Sequence, residues 1–254
     1  MEDPREGVGP DGCIVTGASR AHVPAVFEPV VAAAVAAAAE QPGAALLLYG
    51  SVATGRARVG RSDVDMVGYG LPAAAAIGAE LSERFGAVCR GVEIAPATAD
   101  DLVGDTDEAY GNRVFTRHYC VRLSGPPIDV GGPYPADARA ARGFNGDIAA
   151  HAERWRLALE DGTDPARLAG RIARKSLVAA AGVISVRDRT WTTDRARAAR
   201  RWAELDPRWA AAAEQLAAWA ESGEGATHER IAEVLDGGVA ALVAAFAAEV
   251  GLWR

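Results

Sequence analysis

The chain has 254 residues, room for one large domain or two small ones at roughly 100–200 residues per domain. Apolar residues make up 50% and charged residues 24%, the balance of a globular protein with a sizeable core. The formal net charge of −7 argues against nonspecific binding to nucleic acid or anionic membrane, because either needs a basic surface.

Cys13, Cys89 and Cys120 lie far apart with no C-x-x-C spacing, so neither a zinc site nor a disulfide framework is expected, and a reducing cytosol is the simplest compartment. The opening MEDPREGVGP is acidic and broken by Pro and Gly, unlike a secretory signal. The longest apolar runs, 30–39 and 239–248, fall well short of the ~20 residues that span a bilayer. A cytoplasmic protein is the expectation.

In chain order, residues 1–12 read as a flexible lead-in. Ile14-Val15-Thr16-Gly17-Ala18-Ser19-Arg20 looks like the opening of a short-chain dehydrogenase, but the two further glycine positions hold Ala21 and Val23, so a plain loop or strand is expected. Residues 23–40 form a helix stopped by Gln-Pro-Gly. Short apolar runs at 44–49, 64–69, 92–95 and 114–123 read as strands, with helices at 72–85 and 99–109. From about 135 the chain turns Ala-, Arg- and Trp-rich with helical spacing, giving helices at 136–160, 165–187, 193–204, 207–222 and 227–250. The fold class is therefore α/β (α+β): a small mixed-sheet domain over 13–133, then an all-helical domain over 134–254, with a ligand cleft between them.

The informative segment runs from Leu46 to Val67: an apolar strand, Gly50-Ser51, a Gly-rich basic turn, and a second strand carrying Asp63-Val64-Asp65. Gly50 lets the backbone approach a ligand without a Cβ in the way. Ser51 offers a hydroxyl and an N–H at an expected helix start, where phosphate is favoured. Asp63 and Asp65 stand at i and i+2, roughly 6–7 Å apart along a strand and on one face, so they can converge on a hard cation. The same spacing at Asp105-Thr106-Asp107 falls in a polar stretch and reads as solvated surface.

The stretch Gly50 to Asp65 resembles the Gly-Ser…Asp-x-Asp motif of the DNA polymerase β-like nucleotidyltransferase superfamily. Further along the chain, Val92-Glu93-Ile94 and then an Arg-rich helix are similar to the aminoglycoside (3″)-type adenylyltransferases, with a likeness through about residues 40–205. The resemblance implies transfer of a nucleoside monophosphate, usually AMP from ATP, to a hydroxyl. It implies Mg²⁺ held by Asp63 and Asp65, and Glu93 as general base or further metal ligand. Asp129, in Pro-Pro-Ile-Asp-Val, is the rival third carboxylate. The nucleotide-binding set it implies is Gly50, Ser51, Arg61 and Ser62 from the turn, and Arg174, Lys175 (the sole lysine) and Arg195 from the helical half.

The expected partners are a nucleoside triphosphate and a small hydroxylated acceptor, an aminoglycoside among the candidates, with no nucleic acid and no membrane. Asp147, Glu160, Asp161 and Asp164 fit either an acidic pocket for a cationic acceptor or a solvated surface. Trp155, Trp202, Trp209 and Trp219 read as helix-packing residues, and the four scattered histidines as non-catalytic. Two other readings stand beside this one: a protein-modifying nucleotidyltransferase of toxin–antitoxin type, and a catalytically silent nucleotide-binding regulator.

Overall fold

In the computed structural model, which describes residues 3–254, the chain begins with a hairpin of β1 (Gly7–Val8) against β2 (Ile14–Val15). The expectation of a flexible lead-in is therefore corrected for residues 3–12; residues 1 and 2 lie outside the described residues. Two carboxylates tie this segment down. Asp3 accepts from the Gly17 N–H at 2.8 Å, and Glu6 accepts from the Thr193 N–H at 2.8 Å and the Tyr119 hydroxyl at 2.9 Å. Charge-assisted acceptors of this kind are among the stronger hydrogen bonds.

Next come α1 (Glu28–Ala39), β3 (Ala45–Tyr49), the single turn α2 (Gly50–Ala53), β4 (Val64–Tyr69), α3 (Ala74–Arg84) and β5 (Val92–Ala97). The strands form a four-stranded mixed sheet, completed by β6 (Val121–Ser124), in the order β5-β4-β3-β6. β3 runs antiparallel to both β4 and β6, while β4 and β5 are parallel and joined through α3. Alternation along the strands separates two faces. Leu46, Leu48, Val64, Met66, Val92 and Ile94 pack in one core with Val30, Val31 and Ala34 of α1 and Leu81 of α3. Ala45, Leu47, Val67 and Tyr69 face the other way.

The segment 99–123 departs from expectation. The strand expected at 114–123 is mostly helix, α4 (Asp107–Tyr119), and the helix expected at 99–109 is a 3₁₀ turn over Ala99–Leu102. Thr106 caps α4, its Oγ1 accepting from the Ala109 N–H at 3.1 Å, and Tyr110 and Val114, four apart, share a buried face. The apolar run 114–123 thus mixes the end of a helix with a four-residue strand, an ambiguity that short apolar runs carry. Asp107, expected as solvated, is buried and ion-paired with Arg142 at 2.9 Å.

The rest is helical: α5 (Ala138–Asn145), α6 (Ile148–Glu160), α7 (Pro165–Asp188), α8 (Arg195–Leu205), α9 (Ala210–Glu221), α10 (His228–Val234) and α11 (Ala240–Glu249), the last two joined by a π turn. The helix expected at 136–160 is two, parted at Gly146, whose carbonyl accepts from the Trp253 N–H at 3.0 Å. Trp155, Trp202 and Trp219 are buried in this half, and Trp209 packs against its core. Ile14, Tyr110 and Val114 belong to the same core, so the helical half draws on residues before 134. Gly111 of α4 and Gly143 of α5 pass so closely that a Cβ on either would meet the other's backbone. Taken together, residues His228–Glu249 are long and apolar enough to cross a membrane by length and composition, yet Ile231, Val239 and Phe246 are wholly buried in the helical core.

Candidate functional site

Sheet register assembles the site. Tyr49, Asp65 and Glu93 stand side by side, Tyr49 paired with Asp65 across β3–β4 and Asp65 with Glu93 across β4–β5. All three lie on the face opposite the α1–α3 core, as does Asp63, two residues before Asp65. The apolar neighbours Val64, Met66, Val92 and Ile94 are buried on the other side. Burying those side chains therefore turns three carboxylates towards one cleft of about 1020 Å³, lined also by Gly50, Ser51, Ser62 and residues of the helical half.

Burial, reinforced by Asp63 and Glu93, pushes the Asp65 carboxyl up to about 6. Burial also raises the Tyr49 hydroxyl, with Asp65 and Glu93 adding to the effect, and its ring packs edge-on against Phe115 at 5.0 Å. Asp63 has a partner: Arg90 Nε donates to its Oδ1 at 3.0 Å, and Nη2 donates to Oδ2.

Gly50 has φ +73, and a Cβ there would lie 2.5 Å from Asp65 Oδ2. What this glycine admits is the Asp65 carboxylate itself, pressed against the start of α2. Ser51 comes next on the single turn α2, where the expected helix start is only four residues long. The basic turn is closed from within: Ser62 Oγ accepts from the Arg58 N–H at 2.9 Å, and Arg56 Nε donates to Thr54 Oγ1 at 3.0 Å. Arg56, Arg58 and Arg61 consequently line the cleft from one side.

Arg174 of α7 and Arg195 of α8 line it from the helical half, with Glu221 at the end of α9. Burial lowers the Arg174 guanidinium's pKa, and Arg195, Arg90 and Arg171 lower it further by repulsion. A cluster of cations in one cleft is a place for an anion.

Not every expected residue joins the site. Lys175, beside Arg174, turns away into the helical half and pairs with Asp147 at 2.7 Å, also donating to the Phe144 carbonyl at 3.2 Å. One residue along a helix is a rotation of about 100°, enough to take it off the cleft wall. Asp129 closes its own loop by accepting from the Gly131 N–H at 3.1 Å, and the cleft's third carboxylate is Glu93. None of Asp147, Glu160, Asp161 and Asp164 lines the cleft; Asp147 holds Lys175 and His151, and Asp164 caps α7. His118 Nε2 accepts from the Tyr134 N–H at 2.9 Å, a structural role.

Four charged lining residues lie outside the set expected from the sequence, Arg56, Arg58, Arg90 and Glu221, together with the apolar Ala220. The first two sit in the basic turn, and their place between Gly-Ser and Asp-x-Asp is the available signal. Arg90 reaches the site through the parallel pairing that sets Arg90-Gly91 beside Ser62-Asp63, its N–H donating to the Ser62 carbonyl at 3.0 Å. Glu221 arrives by helix packing alone.

As oxygen donors lining one cleft, Asp63, Asp65 and Glu93 are of the type that suits a hard divalent cation. Among the described residues no three His, Cys, Asp or Glu side chains converge closely enough to hold a metal, and the Arg90 guanidinium pairs with Asp63. No family model matches the chain and no curated protein matches it, so the site is read from its own geometry.

Proposed function

We propose that the protein is a nucleotidyltransferase that moves a nucleoside monophosphate, AMP from ATP in the simplest case, onto the hydroxyl of a small acceptor and releases pyrophosphate. One observation carries the reading. Carboxylates from two neighbouring parallel strands face a single cleft whose remaining charged wall is almost entirely arginine. Acids for a cation and cations for a polyanion, in one cavity, suit a metal-bound triphosphate. The resemblance of Gly50 to Asp65 to the DNA polymerase β-like superfamily points the same way.

Asp63, Asp65 and Glu93 are the residues that would hold Mg²⁺, which when bound neutralises phosphate charge and polarises the phosphoryl oxygens. Glu93 accepts the proton of the acceptor hydroxyl at a carboxylate oxygen. The oxygen so freed forms its bond to the α-phosphorus as the bond from that phosphorus to the pyrophosphate oxygen breaks. Arg174 and Arg195 hold the charge that gathers on the leaving phosphates, and Arg56, Arg58 and Arg61 hold the chain from the turn side. Positioning and charge balance account for the rate, with no covalent enzyme intermediate. Glu93's place in the same cleft as the aspartates supports an enzyme over a silent regulator. Walls from both halves, and a volume near that of a typical small-molecule site, support a small acceptor over a protein.

The test is a screen of ATP, GTP, CTP and UTP with Mg²⁺ against a panel of hydroxylated amines, reading pyrophosphate and product mass. Asp63→Ala and Asp65→Ala are expected to abolish Mg²⁺-dependent pyrophosphate release while the far-ultraviolet dichroism stays unchanged; retained turnover in either would remove the assignment.

A further inference from the structure

Arg90 makes a two-pronged ion pair with one of the two aspartates and, among the described residues, with no other side chain. Nε meets Asp63 Oδ1 at 3.0 Å and Nη2 meets Oδ2, so both carboxylate oxygens are engaged. Every hydrogen bond of this guanidinium among the described residues goes to Asp63. The backbone beneath is pinned, Arg90 N–H to the Ser62 carbonyl at 3.0 Å and Val64 N–H to the Gly91 carbonyl at 2.9 Å. The side chain above is not: it is 69% exposed, whereas Asp63 is 27% exposed. Fixed main chain and solvated side chain describe an arm that can leave its partner without disturbing the sheet.

We propose that Arg90 is a resident counter-cation, which holds Asp63 until a divalent cation bound to a polyphosphate takes its place, and whose guanidinium then moves onto the phosphate chain. The proposal rests on the reading of the cleft as a nucleotide site. Three features support it. The fork-on-carboxylate pair engages both Asp63 oxygens, so a cation arriving there competes with the guanidinium for the same charge. Arg90 lines the same cleft as Arg174 and Arg195. Its side chain is the exposed member of the pair, free to turn towards the helical half's cations across that cleft. Arg90 is thus a positioning residue for Asp63 before the metal–polyphosphate arrives and a phosphate ligand once it is bound. Exchange of this kind lets metal and polyphosphate enter together in preference to metal alone.

The test is Mn²⁺ binding to the full chain, followed by electron paramagnetic resonance, without and with tripolyphosphate. Arg90→Ala and the length-preserving Arg90→Gln are compared with the unaltered protein, and thermal melts confirm folding. Removing the competitor is expected to tighten binding of Mn²⁺ alone about tenfold, and to weaken binding of the Mn²⁺–tripolyphosphate complex by about the same factor, the scale of one charge-assisted pair. Both variants binding Mn²⁺ alone no more tightly than the unaltered protein, while Mn²⁺–tripolyphosphate still binds, would overturn the exchange and leave the nucleotide reading standing. No Mn²⁺–tripolyphosphate binding by the unaltered protein would overturn both.

Discussion

The Asp65 carboxylate lies against the backbone of Gly50, so close that a methyl group on Gly50 would sit 2.5 Å from Oδ2. The glycine also has φ +73, a region that costs an L-residue roughly 1–3 kcal/mol. Gly50→Ala therefore strains the backbone and displaces the carboxylate at once. Urea unfolding should show a loss of about 2 kcal/mol or more, and calorimetry should show divalent-dependent nucleotide uptake abolished. A variant as stable and as competent as the parent would contradict this packing.

Asp65 also gives a pH signature with a defined sign. Its carboxyl is raised from 3.8 to about 6 in the folded chain. Between about pH 4 and 6 the native state then binds more protons than the unfolded state, so stability falls as pH rises through that window and levels off above it. Two pKa units correspond to about 3 kcal/mol. Asp65→Asn should remove this slope, making the variant more stable than the parent at pH 8 and no more stable at pH 4, while it loses divalent binding. Urea midpoints at the two pH values decide the matter.

Arg174 and Lys175 are chain neighbours with different work. Lys175 Nζ meets Asp147 Oδ1 at 2.7 Å in a largely covered setting, so Lys175→Met should lower stability by about 1–3 kcal/mol and leave nucleotide affinity unchanged. Arg174 faces the cleft among like charges, so Arg174→Met should leave the melting temperature unchanged or raised and weaken triphosphate binding about tenfold. Paired melts and nucleotide titrations of the two variants separate the roles.

Much of the fold is legible in the chain. The strand expected at 64–69 is β4 to the residue, and the helices expected at 72–85 and 165–187 appear within two residues at each end, because their apolar spacing matches one period over their whole length. The stretch 99–123 is not legible. Capping by Thr106 and burial of Tyr110 and Val114 against the helical half decide it, and the burial depends on partners distant in the chain. The ordered lead-in escapes a local reading for the same reason: Glu6 is held by Thr193, 187 positions away.

At the site, the amino-acid order alone determined that Asp63 and Asp65 share a face and that a glycine and a serine precede them, since strand alternation is a local rule. Only the tertiary structure decided which third carboxylate stands with them, that Arg90 holds Asp63, and that Lys175 turns to Asp147 while Arg174 faces the cleft. Strand register and helix rotation settle those choices. Both are set by how whole apolar faces pack, a property no short stretch of chain contains.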